Sequence, residues 1–261
     1  MVSAAAMAGM AVTALLSFLL PVTLMVHFRR RHGASMRAVV VGAAVFVIFQ
    51  FIARGWLLGY LDGQAWYRSL MASTVVMTLW LSLSAGIFEE VGRYLAFSWP
   101  LEGMWDRKHG IAYGLGHGGI EAMFFAGLPA VNNLMLSLAI NSGTFDTLVA
   151  PQMGAGAELI KTQLLSTPPA LFLLAGVERA CALAIQVALS LLVLAAVRGG
   201  RPVLVVYAVL LHGLVNFVAL LLAPVNMYLA QAWVLAAAVA AWRYIRRWRD
   251  EPAGAGSTPA A

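Results

Sequence analysis

From Met71 to Phe88 the chain runs without an Asp, Glu, Lys or Arg, then meets Glu89, Glu90 and Arg93 within five residues. The uncharged run has the length and composition of a membrane-spanning helix. A charge at the bilayer centre costs about 2.5 to 3.5 kcal/mol on insertion scales, so three ionisable groups together need partners and usually a task. On a helix Glu89 and Arg93 stand at i,i+4 and are expected to pair along one face, with Glu90 about 100° round the helix. One carboxylate is then held ionised and the other points at something else.

The rest of the chain repeats the apolar pattern. Of its 261 residues 62% are hydrophobic and 11% charged, where a soluble domain carries about 25% charged residues. This predicts an integral membrane protein of the all-α class, a polytopic transmembrane helical bundle forming a single domain over residues 1–249. The expected spans run about Ala4–His27, Ala38–Tyr60, Leu70–Phe97, Gly110–Leu128, Ala170–Val197, Val203–Ala223 and Met227–Ile245. That makes about seven, or eight if the less apolar 129–169 segment adds one rather than an interfacial helix. Residues 250–261, rich in Gly, Ala, Ser and Pro, are expected to be a disordered tail. Met1–Phe28 lacks a basic leader and reads as a retained first span.

The net charge of +6 does not point to nucleic acid, because the basic residues cluster at helix ends. They read as topology signals. With the N-terminus outside and the C-terminus cytoplasmic, twelve of the seventeen Lys and Arg residues fall on the cytoplasmic side. Arg54, inside a span, is expected to snorkel outward. The lone Cys181 excludes an intrachain disulfide.

Three spans carry a polar pair at i,i+4: Glu89 with Arg93, His117 with Glu121, and His212 with Asn216. Counted from the cytoplasmic helix ends they reach similar depths, about 10 to 14 Å at 1.5 Å per residue. Groups at one depth on different helices share a site more readily than they recur by accident. Four glycines between Gly114 and Gly119 predict that the His117 helix is buried in the bundle. The chemistry such a set supports is hydrolysis by an activated water. A buried Glu acts as general base, a His positions the water, and His212 with Asn216 donates to the developing oxyanion. No Gly-x-Ser-x-Gly turn accompanies the serines near the pair.

Glu89-Glu90-x-x-Arg93, a His in a Gly-rich helix, and His212-x-x-x-Asn216 are similar to the motif order of the CAAX-protease and bacteriocin-processing (CPBP, or Abi) superfamily. More closely, Glu-Glu-x-x-Arg-Tyr, then Gly-x-Gly-His-Gly-Gly-x-Glu at 114–121 and a later Glu178-Arg179, resembles the YhfC family of intramembrane metalloproteases. The resemblance implies that Glu89 or Glu90 activates water with His117, that Arg93 belongs to the same motif, and that His212 and Asn216 form the oxyanion hole. Glu121, Glu178 and Arg179 would be supporting residues particular to that family. The superfamily's first motif usually reads Glu-Glu-x-x-x-Arg, one residue longer than here, which leaves open which carboxylate is the base.

The favoured reading is an intramembrane peptidase of the glutamate type, with no cofactor, in the bacterial plasma membrane. Its partners would be the bilayer and a membrane-embedded or membrane-adjacent peptide or protein. A zinc enzyme is the alternative, with His117, Glu121, His212 and Glu90 as ligands. A proton-coupled transporter would use the same residues as a relay, but no inverted repeat is legible. A non-catalytic membrane binding protein is the remaining class.

Overall fold

The computed structural model describes residues 1–249, and the expected disordered tail over 250–261 lies outside them. Among the described residues nine helices form, besides short helical turns over 145–156: α1 (Ala4–His32), α2 (Met36–Asp62), α3 (Ala65–Met71), α4 (Thr74–Ser98), α5 (Arg107–Asn141), α6 (Ala157–Ser166), α7 (Pro169–Arg198), α8 (Val203–Leu222) and α9 (Met227–Arg247). Among the described residues there is no strand. α1, α2, α4, α5, α7 and α8 are long and apolar enough to cross a bilayer. α9 was expected as a seventh span and does form, but Gln231 and its terminal arginines leave it outside that set. The fold is a polytopic helical bundle.

The ends of these helices follow from local chemistry. Gly33 takes φ 65° after the basic end of α1, a conformation that costs glycine little. Ser35 then caps α2 by accepting from the Arg37 backbone N–H. Asn226 does the same for α9, its Oδ1 accepting from the N–H groups of Tyr228 and Leu229 at 2.9 and 3.3 Å.

The described chain divides into two compact units. One contains residues 1–23 and 121–180. Its core gathers Val2, Met10, Leu136, Phe145 and Leu164, and the Asn141 side chain grips both backbone groups of Val2 at 2.7 and 2.9 Å. Here the 129–169 segment resolves into the end of α5, the short turns, and α6, which at ten residues and about 15 Å cannot span hydrocarbon. Lys161 of α6 donates to both Asp146 oxygens, which raises the lysine pKa.

The other unit contains residues 24–120 and 181 onward, and it holds most of the polar set. In a bilayer the helices gain nothing from hydrophobic exclusion, so they associate where small residues allow close packing. A Cβ on Gly116 would lie 2.0 Å from the Val39 carbonyl oxygen, and one on Gly42 would lie 2.3 Å from that of Tyr113. The backbones of α2 and α5 therefore touch directly. A Cβ on Gly114 would stand 2.6 Å from Val187 Cα of α7, and one on Gly86 would stand 2.8 Å from the Val209 oxygen of α8. The Gly-rich helix is inside the bundle, as its sequence predicts. α4 packs along α8. These approaches bring the polar residues of four helices within side-chain reach.

Candidate active site

α4 supplies Glu89, Glu90 and Arg93, the first half of α5 supplies His117, and α8 supplies His212. All are buried: Glu90, Arg93 and His117 are 0% exposed, Glu89 3% and His212 5%. The expected Glu89–Arg93 pair does not form. Arg93 Nη1 instead lies 3.2 Å from Glu90 Oε2, at i,i+3. The reason is Gln186 of α7, itself buried, whose Oε1 accepts from Arg93 Nη2 at 2.6 Å and whose Nε2 donates to Glu89 Oε2 at 3.2 Å. Arg93 thus holds Glu90 directly and reaches Glu89 only through an amide.

That leaves each carboxylate with its own histidine. His117 Nε2 lies 2.9 Å from Glu89 Oε2, with its ring edge-on to Phe46 and stacked on Tyr113. His212 Nδ1 lies 2.8 Å from Glu90 Oε1, and its Nε2 faces Glu89 Oε2 at 3.9 Å. Glu90, ion-paired with Arg93, is the acceptor in its bond to His212, so Nδ1 carries a proton there. His117 Nδ1 is buried without a hydrogen-bond partner.

Glu121 follows His117 by one turn of the same helix. Glu121 belongs to the unit of residues 1–23 and 121–180. Arg179 Nη1 lies 3.3 Å from Glu121 Oε1, and Arg179 Nη2 pairs with Glu178. The supporting residues of the sequence reading therefore form their own cluster around Arg179. Asn216 lies one turn beyond His212, half-buried, and its side chain makes no hydrogen bond among the described residues. It does not join the carboxylates.

The donor set fits a divalent metal. Glu89 and His117, 2.9 Å apart, are a carboxylate and an imidazole of the kind zinc takes as ligands in catalytic sites. Gln186 had no role in the sequence reading. Its signal was there: a lone amide in an apolar stretch of α7, two turns after the Glu178-Arg179 pair.

The model of the YhfC intramembrane metalloprotease family matches residues 16–239, a stretch that contains every residue of this site. The chain belongs to the YhfC family. It is 39% identical over 223 residues to a relative described as an uncharacterized membrane protein YhfC, from Bacillus subtilis (strain 168), across 85% of this chain and 86% of that one. No solved structure matches. The YhfC description is that of an intramembrane protease, and it leans towards a metal rather than the metal-free mechanism favoured on sequence.

Proposed function

We propose that the protein hydrolyses a peptide bond of a membrane-embedded or membrane-adjacent substrate and depends on a bound divalent metal, zinc by its donor set. The observation that carries this reading is the buried pair of Glu89 and His117, 2.9 Å apart among apolar helices, in a chain whose sequence places Glu121 at i,i+4 from His117. Glu89 and His117 would hold the ion, with Glu121 the further carboxylate that the His117 spacing offers. Bound there, zinc supplies Lewis acidity, which makes water a nucleophile near neutral pH and polarises the carbonyl under attack.

His212 handles the proton. Its Nδ1–H donates to Glu90 and its Nε2 faces Glu89, so the neutral ring is oriented to take a proton from the attacking water through Nε2. Glu90 stabilises the imidazolium that results, and Arg93 holds Glu90 in place through its 3.2 Å contact. The same Nε2–H then protonates the departing amine. Asn216, with its amide unengaged, donates to the oxyanion. Glu90 has one oxygen on His212 and faces Arg93 with the other, so it belongs to the proton path rather than to the ligand set. The positions of the basic loops favour a plasma-membrane topology with the N-terminus outside and the site reached from the cytoplasm.

The metal-free alternative rests on the 2.9 Å contact of Glu89 with His117, which pairs a carboxylate with an imidazole as a water activator needs. Metal content and chelation separate the two. Purified protein is expected to carry zinc near one equivalent, to lose peptide cleavage on chelation and recover it with zinc, and to lose zinc in Glu121→Gln and His117→Ala. Cleavage that survives complete chelation and disappears in Glu89→Gln would establish the metal-free mechanism instead.

A further inference from the structure

Arg54 is an intramembrane charge that the hydrolytic reading leaves unused. It lies in α2, eight residues before the helix ends at Asp62, a depth of about 12 Å. The helix there adopts π-helical hydrogen bonding over Val47–Arg54, a feature that recurs at functional sites. The expected snorkelling does not occur. Arg54 Nε donates to Ser84 Oγ at 3.0 Å and Nη2 donates to the Leu81 carbonyl at 2.8 Å, both on α4.

Both acceptors are neutral, and among the described residues no carboxylate lies within ion-pair distance of Arg54. Glu89 acts on it only from further away. A guanidinium has five N–H donors, so three remain for another group, on a side chain that is only half-buried. A cation fixed in hydrocarbon without a counter-ion is costly, and an incoming anion would relieve that cost. Ser84 stands five residues before Glu89 on α4, an axial offset of about 7.5 Å. An extended peptide covers that offset with about two residues.

We propose that Arg54 forms a carboxylate-recognition subsite that reads an acidic group on the substrate about two residues from the bond that is cut. The register rests on the protease reading above; the anion site itself does not. A lipid phosphate is the weaker occupant, because phosphates stay at the interface and the guanidinium is turned into the bundle towards α4.

The test uses the full chain, zinc-loaded, in nanodiscs, with fluorescent membrane-spanning leucine–alanine peptides. One pair differs only in a single Asp or Asn, and a second pair has a free or an amidated C-terminus. Wild type is expected to bind the carboxylate-bearing member of one pair about tenfold or more tighter. Which pair shows the preference tells an acidic side chain from a chain terminus. The preference falls to near unity in Arg54→Gln, survives in part in Arg54→Lys, and weakens in Ser84→Ala, which keeps the test open if Arg54→Gln misfolds. Equal binding by wild type, or a preference that persists in Arg54→Gln, overturns the proposal. So does loss of a retained anionic lipid in Arg54→Gln without any peptide preference. A carboxylate preference with no cleavage of any peptide leaves the subsite standing and removes the protease reading.

Discussion

Replacing Gln186 with Leu tests whether the polar core works as one network. Gln186 makes two hydrogen bonds to charged groups, from Arg93 Nη2 at 2.6 Å and to Glu89 Oε2 at 3.2 Å, and such bonds contribute about 1.5 to 3 kcal/mol each. All three side chains are 4% exposed or less, so solvent does not step in when the amide is lost. Gln186→Leu is expected to cost about 3 to 5 kcal/mol, short of the sum because Arg93 keeps its contact with Glu90. Arg93→Met alone should cost a similar amount, about 3 to 5 kcal/mol, since it leaves Glu90 buried beside His212 with no cation. In the double variant the second change removes a partner already disabled, so the combined loss falls below the sum by about 1.5 kcal/mol or more. Reversible unfolding in mixed micelles by the two single variants and the double variant measures this directly. Losses that add within about 0.5 kcal/mol would refute the idea that Gln186 couples Arg93 to Glu89.

Four further outcomes follow from the geometry. Glu90→Gln should lower kcat by about 100-fold or more through loss of the group that orients His212, with zinc content unchanged by metal analysis. Arg179→Gln, which releases Glu121 Oε1, is expected to weaken zinc binding by about 10- to 100-fold in a competition titration. Asn216→Ala should reduce kcat by about 100-fold with KM and metal affinity little changed, if its amide meets the oxyanion. Gly116→Val places its Cβ 2.0 Å from the Val39 carbonyl oxygen and should cost at least about 1 to 3 kcal/mol in the same unfolding assay.

Much of the site is legible in the chain because burying charge in hydrocarbon is so costly that a retained charge signals itself. Glu89, Glu90, Arg93, His117 and His212 stand out from apolar runs for that reason, and the structure gathers all five. The Gly-rich stretch announced a buried helix by the same logic, since glycine weakens a helix unless close packing compensates. Spacing misled where two partners were both within reach. At i,i+4 and i,i+3 Arg93 can touch either carboxylate, and local geometry prefers neither strongly.

What the sequence determined by itself is the class: apolar helices of spanning length, with a few ionisable residues that only a shared interior can accommodate. What the tertiary structure alone decided is who pairs with whom. Gln186, 93 positions from Arg93, diverts the guanidinium to Glu90 and leaves Glu89 to His117, and Arg54 turns inward to α4 instead of outward to the interface. Composition reports the cost of a buried polar group. Its partner is set by helix crossings, and those depend on backbone approaches such as Gly116 against Val39 that bring distant residues to one level of the bundle.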